Sequence, residues 1–118
     1  KGRDWEFQSK GVLVEFGNGQ CAGGGFFLTP HADLHDGLMD VTLLGDYGPM
    51  ERFVALPMVL LRRMEMLSGV KTFKTDILEI SVDRPTYIHV DGNLKTLTEP
   101  ATVEILPLAL KVMFPPAA

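Results

Sequence analysis

Two short segments of this 118-residue chain carry residues whose types and spacing could do chemistry. The first, Pro30-His31-Ala32-Asp33-Leu34-His35-Asp36-Gly37-Leu38-Met39-Asp40, gathers three carboxylates and two imidazoles, the densest group of potential metal ligands in the sequence. Carboxylate and carbonyl oxygens suit a hard cation such as Mg²⁺ or Ca²⁺. Zinc fits poorly. His31 and His35 are four apart, but the residues between them read as a turn, and no third imidazole or thiolate lies nearby. The same stretch is also what a polar loop closed by an Asp36-Gly37 turn looks like, and spacing leaves both readings open.

The second segment is Tyr87-Ile88-His89-Val90-Asp91-Gly92-Asn93, in which a strand-like run ends on a carboxylate and a glycine. Asp-Gly is a hairpin turn. An aspartate held at a strand end can also orient or deprotonate a substrate hydroxyl, provided a phosphoryl donor stands close by. His89 alternates with Val90 as a half-buried strand residue would, and is given no role. Gly23-Gly24-Gly25 invites comparison with a phosphate-binding loop. Such a loop must open a helix, however, and here the glycines lead into Phe26-Phe27-Leu28, which reads as strand.

The elements that must position these segments are mostly strands. Short runs rich in β-branched and aromatic residues occur at Val12 to Phe16, Phe26 to Thr29, Val41 to Leu44, Ile77 to Val82, Tyr87 to Val90, Val103 to Leu106 and Leu110 to Phe114. Glycine and proline punctuate them, and Asn18-Gly19 between two apolar runs is a hairpin signal. Asp76 to Val82 and Thr102 to Leu106 alternate apolar with polar, so each should bury one face. The expected fold is mainly β, an antiparallel sandwich of one domain over residues 1–118. One or two short helices are expected around residues 50–67, where Phe53, Leu56, Leu60, Leu61 and Met64 recur at helical spacing. Pro57 should kink or split that segment. Its methionines (Met50, Met58, Met64 and Met66) are expected to fill core gaps, or else to line a lipid-accommodating surface. The tail Pro115-Pro116-Ala117-Ala118 reads as disordered.

Bulk properties narrow the function. A net charge of −4, with the eleven basic residues scattered, offers no general electrostatic pull toward nucleic acid or an anionic bilayer. The single cysteine, Cys21, allows no internal disulfide and fits a reducing, cytoplasmic setting. No run of about twenty apolar residues is present, and the first residues lack a signal-peptide core. The absence of an initiator methionine suggests a piece of a longer protein.

Taken in order, Asn18-Gly19, the triple glycine, Pro-x-Ala-x-Leu-x-Asp-Gly-x-x-Asp-Val from Pro30 to Val41, Val90-Asp91-Gly92, and Ile-Leu-Pro-x-Ala-Leu-x-Val from Ile105 to Val112 form a pattern. It resembles the C-terminal region of the diacylglycerol, sphingosine and ceramide kinase superfamily, with the bacterial lipid kinases most similar, from about Val12 to Pro115. The resemblance implies a two-domain ATP-dependent lipid kinase with its active site between the domains. An N-terminal nucleotide-binding domain with a Gly-Gly-Asp-Gly-Thr motif would bind ATP, and this sandwich would serve the lipid at the membrane surface, making the whole cytoplasmic and peripheral to the membrane. That motif does not occur in this chain, so this half alone should be inactive. The resemblance further implies a structural Mg²⁺ on the side chain of Asp36 and the carbonyls of Asp33 and Leu38, with Asp91 as the proton acceptor. The family's glutamate at the end of the Val-Asp-Gly segment is replaced here by Asn93. A non-catalytic lipid- or protein-binding sandwich, and a kinase of the same architecture acting on a dinucleotide, are the competing expectations.

Overall fold

The structure, a computed structural model, describes residues 1–8 and 10–113. β1 (Gly11–Gly17), β2 (Met39–Gly45) and β3 (Val70–Thr75) form an antiparallel sheet with β2 in the middle. β4 (Ile77–Ile80) pairs antiparallel with β7 (Ala101–Glu104), and β5 (Thr86–Val90) with β6 (Asn93–Leu97). A single helix, α1 (Pro49–Leu60), and short 3-10 turns at Gly23–Gly25 and Met64–Met66 complete the described elements. The result is the expected mainly β, antiparallel, sandwich-like domain.

β2 is covered on both faces, which is why its sequence reads as a nearly continuous apolar run. Successive strand side chains point to opposite faces. Met39, Val41 and Leu43 therefore meet Leu78, Ile80, Val103 and Ile105 of the β4–β7 side, with Trp5, Phe16 and Phe73 closing that core. Trp5 stacks on Phe73 with ring centroids 4.2 Å apart. The alternate residues Asp40, Thr42 and Leu44 face the other way, toward the long connection from β1 and toward α1. There Leu44, Tyr47, Val59 and Met64 form a second core with Phe26, Leu28, Leu67 and Val70 around it.

α1 starts on Gly48, whose N–H donates to Glu51 Oε2 at 2.7 Å, the reciprocal half of a capping box, and Pro49 takes the first helical position. Pro57 was expected to kink or split the segment. It does not split α1, which runs unbroken from Pro49 to Leu60 with Pro57 in its last turn. The helix stops in a Schellman arrangement: Arg62 N–H donates to the Val59 carbonyl and Arg63 N–H to that of Met58, with Arg62 at φ 59° in the position usually given to glycine. Of the anticipated apolar stripe only Met64 is buried; α1 packs through Ala55 and Val59, and Phe53, Leu56, Leu60 and Leu61 are exposed.

Other expectations need correction. Asn18-Gly19 does not close a two-residue hairpin, since β1 pairs with β2 and the chain between them runs from 18 to 38. Phe26 to Thr29 makes no ladder among the described residues; Phe26 bridges to Ala22, the chain bends at Leu28 and Thr29, and the Leu28 carbonyl is held by Thr42 of β2. The strand expected at Ile77 to Val82 stops at Ile80, and the one at Val103 to Leu106 runs from Ala101 to Glu104. Residues 110–113 form no strand, while Phe114 and the tail 115–118 lie outside the described residues. β3 and β6, which were not anticipated, are strands.

Candidate functional site

The long β1–β2 connection is positioned from beneath by buried threonines. Thr42, 1 % exposed on β2, donates its hydroxyl to the Leu28 carbonyl at 2.7 Å, and Thr29 donates to the Gly19 carbonyl at 2.7 Å. Gln20 donates to the Ala32 carbonyl at 3.2 Å and receives Arg62 Nη2 at 2.8 Å, while the Arg62 guanidinium lies over the Phe27 ring. His31 pairs with Glu65 of the second 3-10 turn. Two layers of side-chain bonds thus replace a strand ladder in holding this loop.

Within the loop the aspartates shape the backbone. Asp33 Oδ1 accepts the His35 N–H and Asp36 Oδ1 accepts the Leu38 N–H, each at 2.9 Å, two Asx turns in succession. Gly37, in the middle of the second turn, sits at φ 71°, a conformation that glycine adopts without strain. Asp33, Asp36 and Leu38, the residues expected to hold Mg²⁺, therefore lie in two consecutive turns of one loop.

The outward oxygen of Asp36 meets a residue that sequence reasoning missed. Lys74 Nζ on β3 donates to Asp36 Oδ2 at 2.7 Å and to the His31 carbonyl at 3.4 Å, and lies 3.3 Å from Asp40 Oδ2. Lys74 stands directly opposite Asp40 in the β2–β3 ladder, so the strand register itself delivers the ammonium. Its hydrogen bond, seconded by the Leu38 N–H, holds the Asp36 carboxyl below the usual aspartate range, and the same bond holds Lys74 above its ordinary value. A Mg²⁺ bound as expected would share the Asp36 carboxylate with Lys74 and sit beside a like charge. The donor set does not fit a divalent cation while Lys74 stays.

Asp91 lies on a different element. Val90 pairs with Asn93, so Asp91 and Gly92 are the two central residues of the β5–β6 turn, at φ 46° and 83° as a type I′ hairpin demands. The turn reading of this segment holds, and Asp91 is exposed at the tip. Asn93, opposite Val90, opens β6.

A third feature is the outward side of α1. Residues 53–61 are all apolar, and Met50 at 81 %, Phe53 at 83 % and Leu56 at 54 % exposure face away from the core with Val54 and Leu60. A helix that is apolar all round is normally buried. At 18 or more residues a helix of this kind would span a bilayer, but no helix among the described residues is long and apolar enough to do so.

Residues 2–114 match the family described as the YegS C-terminal NAD kinase beta sandwich-like domain. The chain belongs to this family. Among relatives of the YegS-like domain, a protein named probable lipid kinase YegS-like from Shewanella frigidimarina is 34 % identical over 102 residues, 84 % of this chain and 31 % of the relative. One of the same name from Xanthomonas euvesicatoria is 28 % identical over 97 % of this chain and 37 % of its own length. A diacylglycerol kinase from Mycobacterium tuberculosis is 27 % identical over 88 % of this chain and 33 % of its own length. The chain thus spans about a third of the curated relatives it matches, and it is their lipid-kinase family to which its sandwich belongs.

Proposed function

We propose that this YegS-like domain is the lipid-side half of a kinase that transfers the γ-phosphoryl group of ATP to the hydroxyl of diacylglycerol or a related lipid. The observation that carries the lipid side is the outward face of α1. Met50, Phe53, Val54, Leu56 and Leu60 give an uncovered apolar surface, and acyl chains are the partner such a surface suits. ATP and its Mg²⁺ would be held chiefly by a nucleotide-binding domain of the same protein. Leu106, Leu108 and Leu110, all exposed beyond β7, offer that domain an apolar strip to pack against.

Asp91 would accept the proton of the lipid hydroxyl as its oxygen attacks the γ-phosphorus in line and ADP leaves, most of the rate coming from positioning and charge neutralisation. Its place on a tight two-residue turn suits that role, because the hairpin fixes the carboxylate's backbone at the edge of the domain, open to an incoming partner. The protein would work in the cytoplasm, peripheral to the membrane. A second reading, a lipid-binding sandwich without catalysis, is favoured by Asn93, which has no basic oxygen where the family carries a glutamate. The full-length protein, given radiolabelled ATP and diacylglycerol in detergent micelles, separates the two. Label in the lipid supports the kinase; binding to the micelles with no label after prolonged incubation supports the second reading and ends the first.

A further inference from the structure

A lysine ammonium has three N–H donors and no acceptor. Lys74 Nζ has three oxygens around it: Asp36 Oδ2 at 2.7 Å, Asp40 Oδ2 at 3.3 Å and the His31 carbonyl at 3.4 Å. Two of these accept hydrogen bonds from the ammonium, and Asp40 faces it as an ion pair. The oxygens come from two elements, the loop and β2, and the cation from a third, so one charge ties the connection to the sheet. Asp40 is the part of the cluster that most needs a cation. Its side chain is 10 % exposed, and Oδ2 is shut off from solvent without an aligned hydrogen bond. A carboxylate so placed is costly unless an opposite charge accompanies it.

We infer that Lys74 is the resident cation of this loop, and that the turn from Asp33 to Leu38 is ordered without a divalent metal. The ammonium stands between two carboxylates that would otherwise converge on one point. Where another protein would recruit Mg²⁺ to neutralise such oxygens, this chain brings the positive charge on the neighbouring strand. The Asx turns that shape the loop use only backbone N–H groups and the carboxylates of Asp33 and Asp36.

The inference makes the cation position convertible. With Lys74→Gln the charge leaves while the strand and most of the side-chain volume remain, so Asp36 and Asp40 would be left facing each other across a vacated position. Hard cations bind such oxygen donors. Metal-stripped full chain, without nucleotide, is titrated with Mn²⁺ followed by electron paramagnetic resonance, and melted in EDTA and in MgCl₂. The wild type should show no saturable site dependent on Asp36, and melting temperatures in the two buffers should agree within about 1 °C. Lys74→Gln should bind Mn²⁺ about tenfold or more tighter than wild type, melt lower in EDTA, and recover in MgCl₂.

Saturable Mg²⁺ or Mn²⁺ binding by the wild type that Asp36→Asn abolishes would overturn the inference. So would a Lys74→Gln protein equally destabilised in EDTA and MgCl₂. Should Lys74→Gln not fold in either buffer, Lys74→Arg keeps the charge: indifference to MgCl₂ supports the resident cation, and a melting point that rises with MgCl₂ contradicts it.

Discussion

Thr42→Val tests how the β1–β2 connection is held, because it removes one hydroxyl and almost nothing else. Thr42 is 1 % exposed, its register partners are Glu15 on β1 and Thr72 on β3, and its hydroxyl donates to the Leu28 carbonyl at 2.7 Å. Valine keeps the branched shape and cannot donate, so the carbonyl loses its partner beside a buried strand. Losing one partner of such a bond costs about 1–3 kcal/mol. For a 118-residue chain the unfolding entropy is about 0.25 kcal/mol per kelvin. The melting temperature should therefore fall by about 4–12 °C. Thr42→Ser is the control: it keeps the donor and removes a methyl, at a cost of about 1 kcal/mol or a drop of about 4 °C. Both are read by circular dichroism, with amide exchange of residues 26–32 reporting whether the connection loosens. A valine variant that melts with the wild type while serine loses more would refute the reasoning, since packing alone would then hold the segment.

Met64→Ala should cost about 2–5 kcal/mol in urea titrations, because Met64 is fully buried against Leu44, Tyr47 and Val59 and its loss leaves a cavity under α1; a loss below about 1 kcal/mol would mean the second core is not packed as described. Glu15 supplies a pH dependence. Burial raises its carboxyl above the usual glutamate range, so its contribution to stability is present at low pH and is lost as pH rises through the folded value. Glu15→Gln should consequently stabilise the protein at pH about 7 and lose that advantage by pH about 4; an advantage that grows on acidification would contradict the assignment.

How much of this was legible in the sequence follows from which interactions are local. β2 and β4 announced themselves because each sends apolar side chains into a core, and β5 through its own β-branched and aromatic residues before an Asp-Gly turn; the alternation in Asp76 to Ile80 survives as β4 pairing with β7. β3 did not. In Val70-Lys71-Thr72-Phe73-Lys74-Thr75 neither face is uniformly apolar: Lys71 shares a face with Phe73 and lies over the Phe7 ring, and Lys74 shares one with Thr72. Its place in the sheet is set by β2, not by its own pattern. The loop from Pro30 to Leu38 could be recognised as a site because its aspartates sit within a few residues of one another. Lys74 could not, being 38 residues from Asp36 and brought to it only by the register that sets it opposite Asp40.

The helix failed in an instructive way. Spacing selected Phe53, Leu56 and Leu60 as the inward stripe, but with apolar residues all round, periodicity could not say which side faces the core. Ala55 and Val59 went in, since small side chains let α1 approach the sheet, and the bulky side stayed out. The outcome is an outward side of α1 on which Phe53, Leu56 and Leu60 are exposed.

The most direct test of the central claim is the lipid phosphorylation assay on the full-length protein, comparing wild type with Asp91→Asn. The account predicts labelled lipid from the wild type, loss of turnover by about a hundredfold or more in Asp91→Asn as for a missing general base, and an unchanged melting temperature, because asparagine is equally at home in an exposed turn with positive φ. Turnover at the wild-type rate by Asp91→Asn would contradict the account.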